Sequence, residues 1–182
     1  MKLILLFALL PVFVPTDAKA DKDVKEALPS LIPLPQNLQW TNGYFPVGDC
    51  KYILIRDNSL QKEAEFLQTF LKENGVTASI INSVSGKNSF IELSLGKVEV
   101  PQLGDEAYTL SVGKNKVRLV ANTAHGIFNG IQTFHQLMNN TKPVHSCEIK
   151  DWPAFEWRGY MVDVGRNFQS VDFIKRQIDL MA

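Results

Sequence analysis

Little in this sequence points to metal or redox chemistry. Two cysteines and three histidines stand in 182 residues. Neither the CxxC spacing of a zinc site nor an i, i+4 histidine pair occurs. His125, His135 and His145 fall ten apart and read as ordinary surface or boundary residues. Glycine-rich phosphate loops are missing too: there is no GxGxxG, no GxxxxGK(S/T) and no GxSxG nucleophile elbow. Neither sign of charge is in excess. Nineteen basic and 19 acidic side chains cancel, which removes the electrostatic reason to expect nucleic acid or an anionic membrane as partner. After the first 20 residues no apolar run is long enough to span a bilayer.

The N-terminus does carry a signal. Lys2 precedes a nearly unbroken apolar run from Leu3 to Val14, and Ala18-Lys19-Ala20 has the small-x-small form of a signal peptidase site. Residues 1–20 are therefore expected to be a cleaved signal peptide, with export to the periplasm or the extracellular space. Asp21 to Pro29 is polar and reads as a flexible leader. In an oxidising compartment Cys50 and Cys147 can form a disulfide. The alternative is two small buried residues that never meet, and their spacing does not decide between them.

The body of the chain alternates strand and helix patterns. Leu31-Ile32-Pro33-Leu34-Pro35-Gln36 must be extended, because two prolines at that spacing exclude helix and central strand. Asn42-Gly43 is a strong turn signal, and Gly43–Val47 and Lys51–Arg56 read as short strands around Gly48-Asp49. A helix capped by Asn58 or Ser59 and closed by Gly75 has Leu60, Ala64, Leu67 and Leu71 on one face. Val76–Ile81 and Phe90–Leu95 read as strands, joined through a turn at Ser85-Gly86-Lys87-Asn88. Tyr108–Val112 and Lys116–Val120 alternate on either side of a short polar link and predict a hairpin. A second helix from Thr123 has Ile127, Ile131, Phe134 and Met138 as its stripe; Gly126 and Gly130 on it predict a close approach to the sheet. This order predicts an α+β sandwich over residues 30–148, with a mixed, mainly antiparallel sheet and two helices on one face.

Residues 149–182 begin something else. Asp151-Trp152-Pro153 marks a turn, and Tyr160–Val164 alternates as a strand. Arg166 and Asn167 follow at its C-terminal end. Ser170 then caps a helix with Ile174, Ile178 and Met181 on one face. Strand, polar loop and amphipathic helix form the opening unit of a β/α fold, and in barrels of that kind chemistry sits at the strands' C-terminal ends. A guanidinium there can fork onto two neighbouring hydroxyls, so Arg166 is a candidate substrate contact, with a salt-bridge role as the alternative. Asp163, flanked by Arg158 and Arg166, reads as a member of a charge network.

Three segments together resemble family 20 glycoside hydrolases, the β-N-acetylhexosaminidases. They are the proline motif at Leu31–Gln36 with Gly43-Tyr44-Phe45, the hairpin and helix from Glu106-Ala107-Tyr108 to Phe134, and Asp151-Trp152-Pro153-Ala154-Phe155 with Trp157-Arg158-Gly159 and Asp163–Phe168. The chain departs from many members at Asn167, where they carry histidine. The resemblance implies a small α/β domain followed by a catalytic (β/α)8 barrel. It also implies release of terminal N-acetylhexosamine from glycans by a substrate-assisted, retaining mechanism without metal or organic cofactor. The residue matching Arg166 would bind the 3- and 4-hydroxyls of the terminal sugar. The Asp-Glu pair that such a mechanism needs is expected on a later barrel strand, beyond Ala182, so no catalytic residue is expected within the chain itself. A barrel takes at least about 200 residues, so this polypeptide alone is expected to be inactive, its tail needing the rest of the barrel as intramolecular partner. A non-catalytic, stand-alone binding domain is the other reading. A tail that ends at Ala182, inside an amphipathic helix, speaks for the first.

Overall fold

The computed structural model describes residues 30–83, 89–140 and 143–181. The expected signal peptide, the leader and the turn at Ser85–Asn88 lie outside the described residues. So does Ala182, the position beyond which the Asp-Glu pair is expected.

A seven-stranded sheet organises the chain. Its strands are β1 (Asn37–Phe45), β2 (Tyr52–Ile55), β3 (Ser79–Ile81), β4 (Phe90–Leu95), β5 (Tyr108–Val112), β6 (Lys116–Ala121) and β7 (Val144–Asp151). Their order in space is β1-β7-β5-β6-β4-β2-β3. The sheet is mixed, as expected. β2 pairs in parallel with β3 and β4, and β4 with β6, whereas β5–β6, β5–β7 and β1–β7 are antiparallel. The antiparallel share is thus half of the ladder rather than most of it. The reason is α1 (Gln61–Glu73), which lies between β2 and β3 in sequence: a crossover helix returns the chain to the same edge and makes the flanking strands parallel.

Both expected helical stripes are core. Leu60, Ala64, Leu67 and Leu71 are buried, as are Ile127, Ile131, Phe134 and Met138 of α2 (Ala124–Asn140). They pack on Ile53, Ile91, Leu93, Leu110, Val117 and Leu119 from one face of the sheet. The first helix is capped one residue earlier than the pattern implied: Asp57 Oδ1 accepts from Ser59 N at 2.8 Å and starts a 3-10 turn, Asn58–Leu60, ahead of α1. Gly75, at φ +80°, ends it. The close approach expected of α2 is real. A Cβ on Gly126 would lie 2.5 Å from the carbonyl oxygen of Ala107, and one on Gly130 would lie 2.2 Å from a methyl of Leu119.

The N-terminal strands differ from expectation. Asn42-Gly43 is not a hairpin turn but a bulge within β1, whose register against β7 shifts between Trp40 and Tyr44. Both flanks of the dipeptide find partners on β7, so the ladder absorbs it, with Gly43 at φ +120°. The chain then makes a 3-10 turn, Val47–Asp49, and not a strand through Val47. β3 is shorter than the β-branched run, beginning at Ser79. The proline segment is held by Gln136 of α2, which accepts from Ile32 N at 2.9 Å and donates to Ile32 O at 2.8 Å.

Cys50 and Cys147 are both buried and unbridged. Three strands separate β2 from β7, so the residues at these two positions lie far beyond disulfide reach at about 4.8 Å per strand. Burial pushes their thiols up to about 11 and about 12.

β7 continues to Asp151. Beyond it the described residues form no further strand. Tyr160–Val164 enters no ladder, contrary to the strand expected there. Its alternation favours a strand, but a strand exists only with neighbours to bond, and none of the described strands lies beside it. α3 (Val171–Met181) does form, with Ser170 Oγ accepting from Phe173 N at 3.2 Å, yet it has no buried residue.

Candidate functional site

Arg166 lies on a turn ahead of α3 and not at the end of a strand, since Tyr160–Val164 forms none. Asp163 builds that turn. Its Oδ1 accepts from the backbone N–H groups of Gly165 and Arg166, each at 3.0 Å, and its Oδ2 receives the Arg166 guanidinium through Nε. An aspartate two and three residues ahead of the donors is what lets one short carboxylate close a turn and hold a side chain. The Arg166 N–H, then its guanidinium, keep the Asp163 carboxyl below the ordinary carboxylate range. It is therefore a fixed anion at neutral pH. Nε is engaged, and the Arg166 side chain is 90% exposed. Its Nη groups remain available to fork onto adjacent hydroxyls.

Arg158 is not part of that network. It reaches back to the sheet domain, where Nη2 pairs with Glu106 Oε2, while Nη1 donates to the carbonyl of Phe155 at 2.7 Å. Glu106 lies in a 3-10 turn, Gly104–Glu106, just before β5. His125 Nε2 is 3.7 Å from the same Glu106 oxygen. Asp105-Glu106 is the one Asp-Glu dipeptide in the sequence, and it stands in the sheet domain with its glutamate committed to Arg158.

A second junction lies at Asp151. Its Oδ1 accepts from Gln36 N at 2.9 Å and its Oδ2 from the Tyr108 hydroxyl at 3.2 Å, with Thr133 Oγ1 at 2.6 Å from that hydroxyl. Burial, and then the Asp151 charge, raise the Tyr108 phenol above its usual range, so it stays a donor. Sequence reading missed both junctions. Their partners are far apart in the chain, and no local pattern marks them.

The three histidines lie apart. His135 packs on the Phe70 ring with centroids 3.9 Å apart, and burial lowers its pKa. His145 lies against Tyr44 and Trp40, and His125 is largely exposed. Among the described residues no three metal-ligating side chains converge.

Residues 28–152 match the family model described as Glycosyl hydrolase family 20, domain 2, and residues 155–182 match Glycosyl hydrolase family 20, catalytic domain. A beta-hexosaminidase of Porphyromonas gingivalis is 34% identical over 163 residues, covering 84% of this chain and 21% of the relative. A beta-N-acetylhexosaminidase of Cellulomonas fimi is 29% identical over 84% of this chain and 32% of its own length. Among solved structures, the exo beta-N-acetylglucosaminidase of Vibrio harveyi in complex with N-acetylglucosamine superposes with a TM-score of 0.65 at 27% identity. That match covers 82% of this chain and 23% of the other. The chain thus spans about a fifth to a third of the length of these relatives.

Proposed function

Because this chain belongs to glycosyl hydrolase family 20, we propose that it is the N-terminal portion of an exported β-N-acetylhexosaminidase that removes terminal N-acetylhexosamine from glycans. Residues 155–182 supply the opening of the catalytic barrel. In this reading Arg166 holds the 3- and 4-hydroxyls of the terminal sugar, while Asp163 fixes the turn and the guanidinium. The observation that carries the reading is the place of Arg166. It is an exposed guanidinium on a carboxylate-braced turn inside the catalytic-domain match.

The reaction follows from the substrate. The acetamido carbonyl oxygen attacks the anomeric carbon as the leaving oxygen departs with a proton from a glutamic acid, giving a cyclic oxazolinium intermediate. An aspartate orients and stabilises the amide. Water, deprotonated by the same glutamate, then opens the ring with net retention. That Asp-Glu pair belongs on a later barrel strand, beyond Ala182, and within residues 155–182 no aspartate adjoins a glutamate. The 182 residues alone are therefore inactive in this proposal. Export rests on the Lys2, Leu3–Val14 and Ala18-Lys19-Ala20 pattern, and an N-terminus at Asp21 on secreted protein would test it.

The purified chain should release no nitrophenol from the nitrophenyl N-acetylglucosaminide; turnover above the blank rejects the assignment of catalysis to later strands. Joined at the matching position to the barrel of the Porphyromonas relative, it should turn over. There Arg166→Ala should lower kcat/KM by about 100-fold, the value of a charge-assisted fork. An unchanged kcat/KM removes Arg166 from the sugar site.

A further inference from the structure

Arg158 and Glu106 come from the two parts of the chain that match different domains, and their contact is unlike an ordinary surface ion pair. Glu106 is anchored on three sides. It stands two residues before β5, its carbonyl accepts from Asn129 Nδ2 of α2 at 3.2 Å, and its carboxylate side chain is only 16% exposed. Arg158 is planar and divides its donors between two acceptors, the Glu106 carboxylate and the Phe155 carbonyl of its own turn. One side chain therefore both shapes the 155–158 turn and fastens it to the sheet domain. Isolated exposed ion pairs contribute about 0–1 kcal/mol, but a forked, half-withdrawn pair carries geometric specificity as well. Nearby contacts act in the same direction: Gln102 Nε2 donates to Ala154 O at 3.1 Å, and Asp151 joins Gln36 and Tyr108. After Arg158 the described tail has no such tie to the sheet domain, and Met161 is more than nine-tenths exposed.

We propose that Arg158 and Glu106 form an inter-domain latch that sets the direction in which the segment carrying Arg166 leaves the sheet. Both are positioning residues. Eight positions separate Arg158 from Arg166, so a take-off angle fixed at the first governs where the second can stand. The latch rests on the family reading only for what the segment later becomes. Its own geometry is complete within this chain.

The test uses the 182-residue chain and no activity. Chymotrypsin is applied under limiting conditions, and cleavage at Phe155 and Trp157, inside the latched turn, is compared with cleavage at Phe168 and Phe173, beyond it. Arg158→Ala and Glu106→Gln should each raise the first relative to the second by about three- to tenfold, the net range of one ordinary hydrogen bond. The double variant should exceed neither single change, because both remove the same contact. Arg158→Lys should recover part of the protection, since an ammonium keeps the charge but not the fork. An unaltered cleavage ratio in Arg158→Ala overturns the latch. So does a silent Glu106→Gln, or additivity in the double variant. The melting temperature of the sheet domain, unchanged across the set, shows that the variants report the junction; a fall common to all of them would mean that the pair is a general prop of the fold and not a latch.

Discussion

Two regions of this molecule have similar sequence texture and opposite fates. From Asn37 to Asp151, apolar stripes at helical and strand spacing meet each other across one sheet, and Phe134, Ile127, Leu67 and Leu119 end up at 2% exposure or less. From Trp152 onward the same kinds of residue, at the same spacings, stay in water: Phe168 is 89% exposed and Leu180 74%. The difference is partnership. Each stripe of the first region has a complementary face within the chain, whereas among the described residues the tail's strand pattern has no neighbouring strand and α3 buries no residue. Hydrophobic patterning specifies which face an element must bury, and burial itself takes a second element.

The largest effect that separates the regions is truncation of an aromatic ring. Phe134→Ala should cost about 3–5 kcal/mol in denaturant unfolding, from lost transfer energy plus a cavity. Phe168→Ala should shift the same transition by less than about 0.5 kcal/mol. A comparable loss at Phe168 would show that the tail packs on the domain and would break the contrast. Next in size is the addition of one methyl group. Gly126→Ala places a carbon 2.5 Å from the Ala107 carbonyl oxygen and should cost about 1–3 kcal/mol. At Gly159 an added Cβ meets nothing within 4 Å, so Gly159→Ala should leave the melting temperature where it is.

The smallest test compares carboxylates. Burial alone would raise the Glu92 carboxyl, but bonds from Lys116 and from Arg56 Nε at 3.2 Å hold it below its ordinary value. A lowered folded-state pKa stabilises the fold above the unfolded value of about 4.3, and that stabilisation disappears as pH falls through the folded value. Glu92→Gln should therefore cost about 1–2 kcal/mol at pH 7 and progressively less below pH 4. Asp163, whose carboxyl is also lowered, braces only an exposed turn, and Asp163→Asn should not alter the global transition at either pH. A pH-independent Glu92→Gln penalty would mean that its shape and not its charge matters.

Much of this was legible locally. The hairpin lies where the alternation of Tyr108–Val112 and Lys116–Val120 put it, one residue longer at Ala121, and the strand Phe90–Leu95 is where it was expected. Both helical stripes are buried, and Ser170 caps α3. The turn that carries Arg166 is also local, because its brace by Asp163 is a contact between residues three apart. What local reading got wrong depended on distant partners. Asn42-Gly43 has the chemistry of a turn, but β7 claims the residues on both sides. Tyr160–Val164 has the chemistry of a strand, and none of the described strands forms a ladder with it. The Glu106–Arg158 and Tyr108–Asp151 junctions leave no trace in spacing at all.

By itself the sequence determined the helices, most strands and the order of the two family segments. These follow from periodicity, capping and short motifs, in which the interacting residues are near neighbours. Only the tertiary structure decided that the sheet is half parallel, that Cys50 and Cys147 stand strands apart, and that Arg158 reaches Glu106 instead of Asp163. Those outcomes depend on which surfaces meet after the chain has folded back on itself, and a guanidinium pairs with whichever carboxylate the packed backbones bring within reach.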